Sequence, residues 1–253
     1  MAGLTLAVDG HDDLDTRCTR CLRIAYTCGY AGVRTACGFI CEYCMKSVGE
    51  WFMPDADTYF AGGVLKPEGF EIDKLERALH VCHRWRTAID GGAHIGTWST
   101  HLARHFRNVL AFEPAVDTYE CLALNVGKFP NVVPFRAALG CSDSRASLSD
   151  EAQRPGNTGA RYIVPGDEFG VFTIDHFDID DLDFLKLDLE GYEYFALLGG
   201  AETIRACRPV ICLETKAFGG RYGIADDAAL KLLASWGARH AERMRNDHVF
   251  LWV

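Results

Sequence analysis

The feature that most narrows the fold is an alternation of two periods. From residue 87 onward, short apolar runs of strand character give way in turn to longer runs with helical spacing. "TAID" reads as a buried strand, "IGTWSTHLARHF" as a helix, "NVLAFEP" as a strand, "VDTYECLALNVGKF" as a helix and "VVPFRAAL" as a strand. A stretch rich in Gly, Ser and Asp over residues 140–170 interrupts the rhythm and predicts a loop or a hairpin. The strand "DFLKLDL", the helix "YEYFALLGGAETIRAC", the strand "PVICLET" and the helix "DDAALKLLASWG" follow. Strands alternating with helices imply an α/β fold, a doubly wound and mostly parallel sheet covered on both faces. The last two runs, "RHAERM" and "HVFLWV", leave only a short turn between them and predict an antiparallel C-terminal hairpin at or near an edge.

Upstream, "EIDKLERALHVCHRW" has helical spacing, whereas "GEWFMPDADTYFAGGVLKPEGF" has Pro and Gly punctuation without a helical period and is expected to be a lid or connector. Residues 16–48 hold six of the eleven cysteines, which divides the chain into a cysteine module at 16–48, a connecting segment and helix at 49–85, and a main domain at 86–253. With 253 residues, 49% of them apolar, the chain can bury one large core. No apolar run reaches membrane length and the N-terminus has no basic, apolar leader, so neither a span, a signal peptide nor a membrane partner is expected, and the expected location is the cytoplasm.

Cys18 and Cys21 form one CxxC pair and Cys41 and Cys44 another, with nineteen residues between the pairs. That spacing suits a zinc-ribbon-like site in which four thiolates close a tetrahedral shell and leave the metal no open position. Cys28 and Cys37 lie between the pairs, and either is able to replace a member of the quartet. The net charge of −9 argues against a nucleic-acid binder over the whole surface. From Thr16 to Lys46, however, five basic residues face only Glu42, so this segment is +4 and the remainder −13, which keeps a nucleic-acid partner open for the module.

The turn "AIDGGAHIGT" does not have the GxGxxG spacing of a dinucleotide fingerprint. Asp90 precedes Gly91, Gly92 and Gly96, and a carboxylate there suits a cationic ligand better than a diphosphate. S-adenosylmethionine has a sulfonium and an ammonium group and no phosphate. Glu113, at the end of the next strand in "AFEP", supplies an acid able to accept hydrogen bonds from two ribose hydroxyls.

At these residues the chain resembles the FkbM-like class I S-adenosylmethionine-dependent methyltransferases, which share a Rossmann-like fold. "AIDGGAHIGTWS", "VLAFEPAVDTYECLALNV", "AALGCSDSRASL", "FLKLDLEGYEYFALLGG" and "VICLET" look like successive motifs of that family, and "WFMPDADTYF" is similar to the leading segment of phage-encoded members, which would place the chain in a host cytoplasm. The likeness runs from about residue 51 to 253 and leaves out the cysteine module. It implies methyl transfer to a hydroxyl of a sugar or small metabolite. It also implies that Asp90, Gly92 and Gly96 form the cofactor turn, Glu113 the ribose acid and Asp143 the adenine-side loop. Lys186, Asp188, Glu190 and Gly191 match a KxDxEG motif beside the methyl acceptor. His94 departs from the family pattern, which has Asn or a small residue there.

For the chemistry, Asp188 or Glu190 is the expected general base, because a neutral hydroxyl is a poor nucleophile. Lys186, two residues back on the same strand face, is able to pair with Asp188. A divalent cation such as Mg²⁺ held by these acids, with Glu214 as a further ligand, is the competing use of the cluster. The rival functions are methylation of a nucleic acid or protein, or binding of either through the zinc module; the amino-methylating tetrapeptides of Asn-Pro-Pro-Tyr type are absent after "KLDLEG".

Overall fold

The computed structural model describes residues 45–64, 70–149 and 156–252. Cys18, Cys21, Cys41 and Cys44, with the zinc and the module assigned to them, lie outside these residues. The described part begins with a hairpin of β1 (Met45–Val48) and β2 (Trp51–Pro54), so residues grouped by sequence with the cysteine module pair with the segment that follows it. Helices α1 (Tyr59–Val64) and α2 (Ile72–Leu79) come next, the first within a segment in which no helical period is visible. Helix α2 buries Leu75, Ala78 and Leu79, one face at the expected spacing.

The main sheet then builds up in the predicted alternation: β3 (Thr87–Gly91), α3 (Thr97–Leu102), β4 (Asn108–Phe112), α4 (Val116–Val126) and β5 (Val132–Phe135). After a three-strand insertion come β9 (Leu182–Leu187), α5 (Glu193–Leu198), α6 (Ala201–Cys207), β10 (Val210–Glu214), α7 (Ala228–Ser235), β11 (Ala238–Met244) and β12 (Asp247–Trp252). The strand order is β11-β12-β10-β9-β3-β4-β5, with β3, β4, β5, β9 and β10 parallel and the final hairpin antiparallel, β11 at the edge. Along the central strands successive residues bury to opposite faces. Ala88, Phe184 and Cys212 enter one apolar core, and Ile89, Leu185, Leu187 and Ile211 enter the other. Burial on both faces is what a parallel sheet between helix layers requires.

Two elements differ from their sequence pattern. "VVPFRAAL" is two strands, not one: the chain leaves the main sheet after β5, and β6 (Ala137–Leu139) joins a second sheet of order β6-β8-β7 with β7 (Ser144–Leu148) and β8 (Ile163–Phe172). Pro134 has no N–H to give and is accommodated because β5 is an edge strand. The predicted helix over 192–207 breaks at Gly199 and Gly200. Gly199 passes so close to the Gly140 carbonyl that a Cβ would stand 1.9 Å from its oxygen, which excludes any side chain.

Of the five cysteines among the described residues, Cys82, Cys121, Cys207 and Cys212 are buried, as singly scattered core cysteines should be, and Cys141 is exposed. No helix among the described residues is long and apolar enough to cross a membrane. The strand order reverses between β3 and β9, and a crevice opens beyond the carboxyl ends of strands at such a reversal.

Candidate active site

That crevice is a cleft of about 580 Å³ whose walls include Gly92, His94, Glu113, Lys186, Asp188, Glu190 and Glu214. Its size lies within the range of small-molecule sites. Residues from four strand ends thus meet at one place, although they are spread over more than a hundred positions of the chain.

The glycine turn and the acidic turn interlock. Gly92 has φ +74°, and a Cβ there would stand 2.0 Å from the Asp188 carbonyl oxygen, so the position admits only glycine. The Asp188 N–H donates to the Gly91 carbonyl at 3.2 Å, and Lys186 Nζ donates to the Gly92 carbonyl at 2.6 Å. Lys186 stands opposite Asp90 in the β3–β9 register, and its Nζ lies 3.1 Å from Asp90 Oδ1 while Ser99 Oγ donates to Oδ2 at 2.6 Å. Lys186 therefore pairs with Asp90, not with Asp188 as its position on the strand face suggests. Burial alone would lower the Lys186 pKa, but the carboxylates of Asp90 and Asp188 more than offset this and raise it. Asp90 is fully buried and, like Gly91 and Gly96, does not line the cleft; its contacts are with Lys186 and Ser99.

Glu113 does face the cleft, and both its oxygens are fixed by backbone. The His94 N–H donates to Oε2 and the Ala115 N–H to Oε1, each at 2.9 Å. Burial raises the Glu113 carboxyl above its usual range, against these hydrogen bonds. The His94 backbone is left-handed at φ +51°, and its ring lies 4.3 Å from that of Phe60. Thr158 Oγ1 donates to Asp57 Oδ2 at 2.6 Å, so the same oxygen accepts from His94 Nε2 at 2.8 Å, which fixes the Nε2–H tautomer. His94 Nδ1 is then an unprotonated acceptor, buried and without a partner among the described residues. Burial pushes the imidazole down to about 4, so it stays neutral.

The acids after β9 and β10 converge on a residue the sequence did not single out. Lys216 Nζ lies 3.0 Å from Asp188, 2.7 Å from Glu190 and 2.7 Å from Glu214. Glu190 sits at φ +54° in a turn held by Glu193, whose Oε1 accepts from the Leu189 and Gly191 N–H groups at 2.7 and 3.1 Å. Glu193 is therefore a brace of the turn. Burial would raise the Asp188 carboxyl, but Lys216 and a hydrogen bond from Glu214 outweigh it and hold Asp188 below the usual carboxylate range. Glu214 is pushed up to about 10 by burial and by Asp188, so Glu214 carries the proton of this pair. Burial also raises Glu190. Lys216 was legible only as a cation two residues beyond a strand-end acid in "LETK", too common a pattern to single out.

Asp143 does not reach the cleft wall; it is exposed at 2.7 Å from His176, with the Thr173 N–H on its other oxygen at 3.0 Å. Among the described residues no group of three or more His, Cys, Asp or Glu is arranged to hold a metal ion.

A family model described as the methyltransferase FkbM domain matches residues 90–240. Similar solved structures include the methyltransferase FkbM from Methylobacillus flagellatus KT, 19% identical over 67% of this chain and 45% of that one, with a TM-score of 0.45. This chain thus spans less than half the length of that relative. A SAM dependent methyltransferase from Aquifex aeolicus is 13% identical over 74% of this chain and 94% of its own, with a TM-score of 0.40. TYW2 of M. jannaschii, in complex with AdoMet, is 14% identical over 88% of this chain and 92% of its own, with a TM-score of 0.41. No curated protein matches the chain.

Proposed function

Since the chain belongs to the FkbM methyltransferase family, we propose that its cleft binds S-adenosylmethionine and methylates a hydroxyl of a sugar or other small molecule. The observation that carries this is Glu113: a carboxylate at the end of β4, locked by two backbone N–H groups and turned toward the cleft. Of the roughly four lone-pair sites of a carboxylate, two backbone N–H groups and the Thr118 side chain use three, and the one that is left suits a ribose hydroxyl. Gly92 leaves bare backbone beside it, and the neutral His94 ring adds no positive charge that would oppose a sulfonium. The residues therefore fit a cationic nucleoside.

When bound, S-adenosylmethionine supplies an electrophilic methyl group on sulfur. Asp188, ionised and the most exposed acid of its cluster at 33%, accepts the hydrogen bond of the incoming hydroxyl and faces the positive charge that grows on its oxygen. The hydroxyl has a single hydrogen, which it donates to Asp188 on binding and turns to Glu190 for the reaction; Glu190, with its raised affinity for a proton, takes it as the carbon–oxygen bond forms and the carbon–sulfur bond would break, the thioether being the leaving group. Glu214 is already protonated and serves as hydrogen-bond donor to Asp188. Lys186 and Asp90 hold the two turns in register from behind.

Glu113→Ala tests the placement. Hydrogen bonds to a charged acceptor are worth about 1.5–3 kcal/mol, so calorimetry should show affinity for S-adenosylmethionine falling roughly ten- to hundredfold. Wild-type affinity in a folded variant would remove the ribose from Glu113.

For the N-terminal segment we propose from its sequence a structural zinc on Cys18, Cys21, Cys41 and Cys44. Metal analysis of untagged protein should find about one zinc per chain, and a value near zero would dismiss the module.

A further inference from the structure

We infer that Lys216 is the resident cation of this active site, standing where a divalent metal would bridge the strand-end carboxylates, and that the acceptor is therefore held by a hydrogen bond to Asp188 and not by chelation. This rests on the methyltransferase reading of the same cleft. Asp188 follows β9 and Glu214 ends β10, two neighbouring parallel strands, and Glu190 reaches the same point from the left-handed turn beyond. The ionised groups of this cluster, Asp188 and Glu190, repel one another beside the protonated Glu214, and the repulsion grows as water is excluded. Some cation has to stand among them.

The cation that the chain itself supplies is Lys216. An ammonium has three N–H donors and no acceptor, and here oxygens of Asp188, Glu190 and Glu214 lie within 3.0 Å of it. The neighbouring cations are committed elsewhere. Lys186 serves Asp90 and the Gly92 carbonyl, and Arg221 Nη1 donates to the Glu190 carbonyl at 3.0 Å while its guanidinium lies over Phe218. Lys216 is itself held in place, because the preceding Thr215 N–H donates to the Asn246 carbonyl at 2.8 Å.

The substitution has a chemical consequence. A divalent ion keeps open coordination positions and draws in substrates that present two adjacent oxygens. Lys216, with one donor per carboxylate, keeps none. What the cluster offers the cleft is the Asp188 carboxylate, 33% exposed against 12% for Glu190 and 11% for Glu214. A single hydroxyl acting as donor is sufficient for that contact, and a vicinal diol gains nothing from a second oxygen. The acceptor class is thus an isolated alcohol or one hydroxyl of a sugar.

Lys216→Met separates the possibilities, because it keeps the length of the side chain and removes the charge. Mn²⁺, titrated by calorimetry and by electron paramagnetic resonance, should not bind at the cluster in the wild-type full chain. It should bind to Lys216→Met about tenfold or more tightly than to wild type, since without the ammonium Asp188 and Glu190 are uncompensated and a hard cation can displace the proton of Glu214. Adding Glu214→Gln to that variant should weaken the gained site. A wild-type Mn²⁺ site weakened by Glu214→Gln would overturn the inference even if Lys216→Met does not fold, and so would a folded Lys216→Met with no gain. Binding of S-adenosylmethionine is measured on the same wild-type sample. Its absence there would defeat the methyltransferase assignment of the cleft while leaving the Mn²⁺ result to stand or fall separately.

Discussion

Glu190→Gln is expected to lower turnover by about 10² to 10⁴, the usual contribution of a positioned general base. It should do so with little change in affinity for S-adenosylmethionine, since Glu190 lies on the acceptor side of the cleft. The pH dependence carries the sign. Glu190 must be ionised to accept a proton, and burial raises its pKa, so the wild-type rate climbs as pH rises through that raised value. The glutamine variant has no such group, and its acidic limb should disappear. Asp188→Asn makes the contrast: it removes a charged hydrogen-bond acceptor, a loss of about 1.5–3 kcal/mol, and should slow turnover roughly ten- to hundredfold while keeping the limb. An unchanged pH profile in Glu190→Gln would assign the proton transfer to another group.

Gly92→Ala is expected to be the most damaging single methyl group in the domain. The new Cβ would stand 2.0 Å from the Asp188 carbonyl oxygen, and the backbone at φ +74° strains any L side chain. A left-handed non-glycine residue costs about 1–3 kcal/mol, and forcing an extra carbon into a packed site costs about as much again. Thermal denaturation should show a fall of roughly 5–15 °C, and S-adenosylmethionine binding should weaken even at temperatures where the variant is folded. A variant melting within about two degrees of wild type would mean that the two turns can part without loss, against the spacing seen here.

Local pattern determined the strands and their order along the chain, because each central strand buries both faces and is mostly apolar, with polar residues confined to single positions such as Asp90 and Lys186. Glu113 and Asp188 were legible as strand-end acids, which the fold places on the cleft wall, because an acid at the end of an apolar strand has few structural uses. Asp90 had the same sequence signature and a different role. Its charge is answered by Lys186 across the β3–β9 register, a pairing between residues ninety-six positions apart that no local spacing reveals. Lys216 and the Asp57–Thr158 pair went unseen because each matters only through contacts made by folding. The split of "VVPFRAAL" was hidden by apolarity that continues across the change of sheet. The leading segment concealed a hairpin and a short helix because its packing partners, Asn125 on α4 and the loop around Thr158, are distant in sequence.

The interlock of the two turns bears on how rate enhancement is achieved. The Gly92 backbone lies against the Asp188 carbonyl, the Asp188 N–H is bonded to Gly91, and Lys186 ties the Gly92 carbonyl from the neighbouring strand. On the function proposed above, donor and acceptor seats would be parts of one hydrogen-bonded object, and the line along which a methyl group travels would be drawn when the sheet folds. A displacement of about 1 Å in such an alignment can cost a hundredfold in effective molarity. The contacts that join the two turns oppose such a displacement, so on the proposed function the translational and rotational entropy of bringing the reactants into line would be surrendered on binding, before the chemical step begins.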